Sequence, residues 1–375
     1  MSSKVCIITT VHRPFDTRIF HKEAKTLAKA GYEVTLIAQH DKNEVVNGIK
    51  IIALSRPKNR VSRMIFLGWG AYKLALKQNA DVYHFHDPEF LPWAKRLKYK
   101  TNARIIYDIH EDYVTSIKQK RYMPFLIRIM LSKMFNSIER YFSRGMIKVL
   151  AEKYYQHRFL EGNTILNYPV LYGNSEKLEK EKKYNIKVIG NNKLIYTGNV
   201  SIDRGALIYP ELVKHISNVH VYIVGKCNPK IEEWIYEKAE KARDRIHIDG
   251  KGVIPFEKIL SYYKSNEWLA GLAIFPYTEH YHQKELTKFF EYMQAGIPVI
   301  ASNFPTWKKL IEGNNCGICV NPNNSREIKE AIDYLISNPD KRKIMGMYGN
   351  KVVREKYNWG IEGTKLVNLY KNILN

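Results

Sequence analysis

Short β-branched apolar runs recur along the first half of the chain, with segments of helical apolar spacing between most of them. The runs predict strands at residues 5–9, 33–38, 49–54, 82–86, 104–109 and 146–150. Strands that alternate with helices usually pair in parallel, because each helix carries the chain back across the sheet. We therefore expect a doubly wound α/β sheet whose ligand site lies at the carboxyl ends of its strands.

A second series of the same kind follows an interruption. The pattern breaks at residues 166–169, and a polar run at residues 173–183 comes next. Strands are then predicted at residues 193–197, 219–224, 245–248, 272–276, 299–301 and 317–320. The pattern predicts two successive α/β domains with the polar run as their linker.

Composition limits the class of protein. The 375 residues fit two or three domains. No stretch reaches the ~20 apolar residues that span a bilayer, and the N-terminal residues lead into a strand without the apolar core of a signal peptide. We therefore expect a cytoplasmic protein. Cys316 and Cys319 have the spacing of half a zinc site, but small residues that fill a strand are the favoured interpretation.

Positive charge is concentrated in the first half. The formal net charge is +23, and residues 1–170 carry 29 Lys and Arg against 14 Asp and Glu. Such an excess predicts an anionic partner, which is a phosphate ligand, a membrane surface or a nucleic acid. No recognised nucleic-acid module accompanies the charge, so nucleic acid is the least favoured of the three.

Two segments of the first half are both basic and apolar. Residues 60–77 combine Trp69 and Tyr72 with cations, and residues 118–144 carry apolar residues at helical spacing. The cations of the two segments are Arg60, Arg63, Lys73, Lys77, Lys118, Lys120, Arg121, Arg128, Lys133, Arg140 and Arg144. A cationic amphipathic helix of this kind can lie in the interface of an anionic membrane. The alternative is a helix that covers the sheet with its apolar stripe and exposes its charges to water.

Polar residues cluster where the first predicted strands end. His86 and Asp87 lie at one such end, and His110 lies at another. The loop after the first strand has no Gly-x-Gly-x-x-Gly, which disfavours the dinucleotide site of an oxidoreductase. It carries Asp16 and Arg18 instead, which either contact a substrate or pair with each other as a surface ion bridge.

Residues 285–302 predict a helix that leads into a buried strand. Four apolar residues follow helical spacing, and a Gly-Ile-Pro break then precedes a β-branched run. Glu291 lies in this helix beside two phenylalanines, where a carboxylate is costly unless a partner bonds it. A ligand with hydroxyl groups would be such a partner. The alternative is a glutamate on the solvated face of an ordinary amphipathic helix.

Four motifs resemble those of the retaining nucleotide-sugar glycosyltransferases of family 4, which are group 1 glycosyltransferases with the GT-B fold. They are residues 84–88, 198–205, 283–291 and 296–302, in the family's order. The resemblance implies two Rossmann-like doubly wound domains facing across a cleft. An N-terminal acceptor-binding domain would comprise residues 1–168, with a C-terminal helix at 360–375 returning to it. A C-terminal nucleotide-sugar-binding domain would comprise residues 169–359.

The same resemblance assigns roles in donor binding. Glu291 would hold the ribose hydroxyls, and Gln283 stands where the family has another acid. Arg204 and Asn199 occupy the positions of the family's lysine and arginine for the diphosphate, in a loop that begins at Gly198. The remaining donor-binding residues, which would act through main-chain groups, are Glu285, Leu286, Thr287 and Val253.

Three residues are the implied catalytic set: His86 beside the donor sugar, together with Arg204 and Glu291. His110, with Asp16 and Arg18, would contact the acceptor. No residue is an obvious nucleophile, which fits the family's front-face route, in which the leaving phosphate helps to take the acceptor's proton. Neither a metal nor a cofactor is expected.

The resemblance thus predicts a hexosyltransferase-type enzyme that uses a UDP-sugar in preference to a GDP-sugar. The expected acceptor is a glycan, lipid-linked at the inner face of the membrane, in cell-surface polysaccharide synthesis. The alternative is a GT-B protein that binds glycan or nucleotide with little or no turnover, which the neutral Gln283 and Asn199 would permit. A nucleic-acid-binding protein is the third hypothesis.

Overall fold

A computed structural model describes residues 2–57, 59, 66–120, 122–172, 188–189, 192–250, 252, 254–265 and 268–375. The chain divides into two compact units. One comprises Met1–Val170 with Trp359–Asn375, and the other comprises Leu171–Asn358. These boundaries lie within two residues of the predicted ones. The predicted linker at residues 173–183 lies outside the described residues.

The first unit is built on a parallel sheet. The described strands are β1 (Lys4–Ile8), β2 (Glu33–Gln39), β3 (Glu44–Val46), β4 (Ile49–Leu54), β5 (Val82–Phe85), β6 (Arg104–Ile109), β7 (Ile147–Leu150) and β8 (Asn163–Thr164). Their order is β3-β4-β2-β1-β5-β6-β7-β8, and the pairing of β3 with β4 is antiparallel. The strand order reverses direction between β1 and β5, where a ligand crevice of a doubly wound sheet forms.

Helices cover both faces of this sheet. A π-helical segment (Ile19–Ala24) runs into α1 (Lys25–Lys29) and is followed by α2 (Gly68–Leu76), α3 (Leu91–Lys100), α4 (Tyr113–Lys118) and α5 (Phe125–Phe142). Alternate residues of β1 enter different cores, since side chains of a strand point to opposite faces. Cys6 and Ile8 pack with α2 and α3, whereas Val5 and Ile7 pack with the π-helical segment and the C-terminal helix.

The C-terminal helix of the chain, Trp359–Leu374, packs on this first unit. Trp359 Nε1 donates to Thr26 Oγ1 at 2.8 Å, and the Tyr370 hydroxyl lies 2.9 Å from His84 Nδ1. The Glu362 carboxylate accepts the N–H of Leu166 at 2.8 Å. The helix thereby completes one face of a sheet whose strands all lie before residue 165 of the chain.

Helix α5 faces the protein with a mixed side, on which Phe135 and Phe142 are half-buried. Its buried residues are Ser132 and Glu139, and the Glu139 carboxylate accepts the Tyr107 hydroxyl at 2.7 Å. The exposed residues include most of its apolar ones, namely Phe125, Leu126, Ile127, Met130, Met134, Ile138 and Tyr141. The hypothesis that this segment covers the sheet with its apolar stripe is therefore wrong, because the stripe faces outward.

The described part of the other basic segment behaves differently. Ala71, Tyr72 and Ala75 of α2 are buried in the core of the first unit, so this helix does cover the sheet. Lys73 lies over the Trp69 ring, with its Nζ 4.9 Å from the ring centroid. Residues 60–65, which include two of the predicted cations, and Arg121 of the second segment lie outside the described residues.

The second unit is also an α/β sheet. Its described strands are β9 (Lys193–Thr197), β10 (His220–Val224), β11 (Ile246–Asp249), β12 (Ala270–Ala273), β13 (Val299–Ser302) and β14 (Gly317–Val320). They pair in parallel in the order β11-β10-β9-β12-β13-β14. The order reverses between β9 and β12. The prediction of two successive parallel α/β sheets is confirmed.

The helices of this unit follow its strands. They are α6 (Ile208–His215), α7 (Pro229–Ala239), α8 (Phe256–Ser265), α9 (Thr287–Gln294), α10 (Pro305–Ile311), α11 (Ser325–Ser337) and α12 (Pro339–Glu355), and α13 is the C-terminal helix already described. Cys316 and Cys319 are buried free thiols in and beside β14. Burial raises the pKa of each thiol to about 12, so both behave as small core residues. Among the described residues, no helix combines the length and apolarity that crossing a membrane requires.

Candidate active site

The carboxyl ends of β9 and β12 form the crevice of the second unit. Gly198 follows β9 with a φ of +104°, and Gly205 has a φ of +83°. A Cβ at Gly205 would lie 2.0 Å from the carbonyl oxygen of Ile274, just after β12. Only glycine allows this close approach. The 198–205 loop is therefore held against the end of β12.

Arg204 lies in this loop and is fixed by an aromatic partner. Its Nε donates to the Tyr281 hydroxyl at 2.9 Å, and its guanidinium carbon lies 5.5 Å from the centroid of that ring. Its Nη1 lies 3.5 Å from the carbonyl oxygen of Asn199, which also accepts the Tyr196 hydroxyl at 2.7 Å. Asn199 is bonded through its main chain and leaves its side chain exposed. The loop thus offers one fixed cation.

Glu291 lies in the middle of α9, which follows the loop after β12. Its side chain is half-buried, and its carboxylate accepts the Tyr263 hydroxyl at 2.9 Å. The same hydroxyl lies 2.8 Å from Thr197 Oγ1 at the end of β9. Burial and the nearby Glu291 carboxylate hold the pKa of Tyr263 well above its usual value, so its hydroxyl stays a donor. Glu291 is therefore oriented by α8 and not freely solvated.

The other predicted donor-binding residues lie at the start of α9. Thr287 is its first residue, and Leu286 precedes it with an extended backbone. The first N–H groups of a helix have no partner within the helix and favour anions. Glu285 is half-buried, whereas Gln283 is exposed. Val253 lies outside the described residues.

The first unit has its own polar cluster, at the carboxyl ends of β1, β5 and β6. Asp87 is buried and accepts the N–H of Thr10 at 2.7 Å and the hydroxyl of Thr9 at 2.8 Å. It therefore ties the loop after β1 to the end of β5. His12 of that loop has its Nε2 3.6 Å from Asp87 and its Nδ1 3.6 Å from Asp16.

Arg18 lies in the interior of this cluster. Its exposed fraction is 3%, and its Nη2 donates to Asp108 at 2.6 Å while its Nε lies 2.9 Å from Glu23. Asp16 instead accepts the backbone N–H groups of Arg18 and Ile19. The hypothesis of a surface ion bridge between Asp16 and Arg18 is therefore wrong, because Arg18 pairs with two buried carboxylates.

The histidines of the cluster differ in exposure. His86 is 1% exposed, with Nε2 3.2 Å from Glu23 and Nδ1 3.8 Å from Asp108. Burial lowers its pKa to about 4, although Asp108 opposes the shift. His110 is half-buried, and its Nε2 lies 3.1 Å from His12 Nε2. His110 and His12 are therefore the more accessible rings, and His86 lies beneath them.

This cluster also contains a set of metal-ligand types. Glu23, His84, His86 and Asp108 each offer one ligand atom, and these atoms lie within 4.8 Å of one another. The Arg18 guanidinium already lies within ion-pair distance of both carboxylates. Burial and Asp108 raise the pKa of Glu23, whereas Arg18 and the histidines keep that of Asp108 low despite its burial. The Arg18 guanidinium therefore already balances the negative charge of these four residues.

Three residues of the second unit were not predicted from the sequence. Tyr263 orients Glu291, Tyr281 orients Arg204, and Lys288 is buried in the first turn of α9. The available signal was the spacing of Lys288, three positions before Glu291 and therefore on a neighbouring part of the same helix. The two tyrosines carry no such signal, because their contacts come from the tertiary fold.

Known protein families match both units. The family described as Glycosyl transferases group 1 matches residues 179–352, and Glycosyltransferase Family 4 matches residues 17–154. The chain is 26% identical to an alpha-D-kanosaminyltransferase of Streptomyces kanamyceticus over 186 residues, 48% of this chain and 45% of that protein. The chain spans about half the length of the curated relatives it matches.

Solved structures match the whole chain. Sucrose-phosphate synthase from Thermosynechococcus elongatus superposes with a TM-score of 0.76 at 16% identity, over 99% of both chains. The Anabaena protein HepE, solved in complex with UDP-glucose, superposes with a TM-score of 0.70 at 11% identity, over 98% of this chain and 99% of that one. The fold of the chain is GT-B, as predicted. The chain belongs to the group 1 glycosyltransferases.

Proposed function

We propose that this protein transfers a sugar from a nucleoside-diphosphate donor to an acceptor hydroxyl, with retention of the anomeric configuration. The proposal rests on three features of the second unit that lie where its strand order reverses, between β9 and β12. They are the Glu291 carboxylate, the Arg204 guanidinium and the start of α9. A UDP-sugar is the favoured donor, because the structurally similar HepE is known in complex with UDP-glucose.

Each donor group has a proposed partner. The Glu291 carboxylate, oriented by Tyr263, accepts the ribose hydroxyls, and Arg204 with the main chain of residues 285–287 binds the diphosphate. The side chains of Asn199 and Gln283 supply neutral hydrogen bonds. The proposal for the base contact at Val253 rests on the sequence alone.

The proposed step needs no nucleophile from the protein. The bond between the sugar C1 and the β-phosphate oxygen breaks, and a bond between C1 and the acceptor oxygen forms on the same face. The acceptor's proton passes to an oxygen of the departing phosphate. Arg204 stabilises the charge that develops there, so we propose a reaction without a metal.

The first unit is the proposed acceptor-binding unit. His110 and Asp16 are half-buried polar residues of its cluster, and Arg18 holds their surroundings in place through Asp108. Because the His86 ring is buried between carboxylates, we propose that it acts on the sugar indirectly, by positioning the cluster above it.

We propose further that the acceptor is lipid-linked and that α5 binds an anionic membrane, which would make the protein peripheral at the cytoplasmic face. The exposed apolar stripe of this helix supports the proposal, with Met130 59% and Leu126 77% exposed. Lys133 and Arg140 are exposed on the same helix. A surface polysaccharide is the proposed product class.

A donor titration tests the proposal. A ligand that binds only the folded state raises the unfolding midpoint, so UDP, GDP, ADP and their sugar conjugates are screened by thermal shift. We expect a selective shift with one nucleoside diphosphate and its loss in Glu291→Ala. Glu330→Ala, an exposed glutamate of α11 paired with Arg326, is the matched control and should keep the shift. An unchanged shift in Glu291→Ala would remove the ribose role.

A second candidate function is binding of glycan or nucleotide without turnover. It is favoured by the neutral side chain of Asn199 and by the exposed, neutral Gln283. Nucleotide binding without any sugar transfer would support it.

A further inference from the structure

Lys288 is a buried cation without a hydrogen-bonding partner. It lies in the first turn of α9 and is 8% exposed. Its Nζ lies 3.5 Å from the centroid of Tyr196 and 5.1 Å from that of Phe275, and no described residue accepts a hydrogen bond from it. Burying an ammonium group without an anion is costly. The fold keeps Lys288 there despite this cost.

The surroundings of Lys288 are those of an anion site. A Cβ built on Gly198 would lie 3.9 Å from Lys288 Nζ, so the ammonium faces the glycine turn. Arg204 approaches from the same loop, and its positive charge disfavours that of Lys288. Among the described residues, neither cation lies within ion-pair distance of a carboxylate. Two cations, a glycine turn and a helix N-terminus therefore converge without an anion between them.

We propose that Lys288 binds the diphosphate of the donor and supplies the positive charge that the neutral Asn199 does not bring to the glycine turn. This inference rests on the proposed function, since it names a further residue of the same site. It accounts for a loop with only one cation, Arg204, because the second cation reaches the turn from α9. An amine that is already buried in the free protein also has little hydration to lose when the phosphate arrives.

Donor binding should therefore change the proton occupancy of Lys288. In the free protein, burial and the charge of Arg204 lower its pKa well below the usual value, and the Glu291 carboxylate only partly opposes them. Tyr196 and Phe275, which pack against the ammonium, carry no charge. A bound diphosphate adds negative charge beside the Nζ and stabilises the protonated form. At pH 8.5 the diphosphate itself is fully ionised, so proton uptake reports on the protein.

The test is a calorimetric titration of the wild type and of Lys288→Met. Each protein is titrated with the nucleoside diphosphate that raises the unfolding midpoint of the wild type, and separately with the matching nucleoside. We expect Lys288→Met to bind the diphosphate about 10- to 100-fold more weakly and the nucleoside as tightly as the wild type. In buffers of different ionisation enthalpy, the wild type should take up protons with the diphosphate and not with the nucleoside. Lys308→Met, an exposed lysine of α10, is the matched control and should behave as the wild type.

Several results would overturn the inference. They are diphosphate binding by Lys288→Met within twofold of the wild type, an equal loss of nucleoside and diphosphate binding, or equal proton uptake with both ligands. Lys288→Met should unfold at or above the wild-type midpoint, because it removes a buried polar group that no described residue hydrogen-bonds. The proton measurement on the wild type needs no variant and stands if Lys288→Met fails to fold.

The inference and the proposed function fail differently. If the wild type binds no nucleoside diphosphate, the proposed function fails. If the wild type and Lys288→Met both bind a nucleoside diphosphate and Glu291→Ala does not, only the role of Lys288 fails.

Discussion

His12 and His86 belong to one polar cluster but have different surroundings. The His12 side chain is 23% exposed and faces Asp16 and Asp87, whereas the His86 side chain is fully buried. Burial disfavours the charge of His12, but the two aspartates outweigh it and raise its pKa. Burial dominates at His86 and lowers its pKa to about 4. The surroundings therefore shift the pKa values of two histidines in opposite directions within one cluster.

We predict that the two rings titrate far apart. His12 should titrate above pH 6.5 and His86 near pH 4, as measured by NMR of the imidazole protons, with His12→Gln and His86→Gln used to assign the signals. A His86 ring that protonates at or above pH 6.5 would contradict its burial between Glu23 and Asp108.

The same shift has a consequence for stability. The unfolded chain binds a proton at His86 near pH 6.5, whereas the folded protein binds it near pH 4. Since the unfolded state binds more protons between these values, this contribution is complete above pH 6.5 and is lost as the pH falls toward 4. The loss is on the order of 3 kcal/mol.

The sequence does not predict contacts between side chains that are far apart in the chain, and several residues of the site depend on such contacts. Glu291 and Arg204 could be identified because short motifs surround them. For Lys288 the spacing from Glu291 is a weak signal, since Lys288 lies off the apolar stripe of its helix and is buried by Tyr196, a residue of β9. One alternative paired Arg18 with its sequence neighbour Asp16, whereas its buried partners are Glu23 and Asp108, and Asp108 is 90 residues away.

At the scale of elements, the amphipathic pattern of α5 predicts its apolar stripe but does not predict the orientation of the helix on the protein. Its periodicity identified the apolar stripe correctly, but periodicity does not say which side faces the protein. Glu139 lies on the inward side, where Tyr107 and Arg158 both bind its carboxylate. The apolar stripe is left outside, where a patch of this kind marks an interaction surface.

We predict that α5 binds anionic vesicles. Phosphatidylglycerol vesicles should co-sediment the protein at low salt, and Leu126→Ser/Met130→Ser/Met134→Ser should weaken binding about tenfold or more, because it removes apolar surface from the interface. High salt should weaken the wild type as well, since the cations of the helix contribute.

The matched control for this helix lies in the other unit. Met347 of α12 is 63% exposed, and Met347→Ser should leave vesicle binding unchanged. Equal binding by the triple variant and the wild type would exclude α5 as the membrane contact.

At the scale of the whole molecule, the sequence predicted the two sheets well. Buried parallel strands rich in valine and isoleucine are visible as apolar runs, as at β4 and β10. Strand β12 was predicted two residues late, because Ala270-Gly271-Leu272-Ala273 lacks β-branched residues. The short strands β3 and β8 were missed, since three and two residues give no periodicity.

Sugar transfer is tested most directly by the reaction itself. The protein is incubated with UDP-sugars and GDP-sugars of α configuration and a membrane-lipid extract. Released nucleoside diphosphate is quantified, and the anomeric configuration of the product is read by NMR.

We predict one nucleoside diphosphate released per sugar transferred, an α-linked product, and a loss of at least about 100-fold in Glu291→Ala. A β-linked product would contradict retention. A protein that binds a nucleoside diphosphate but transfers sugar from none of these donors would contradict the assignment as a transferase.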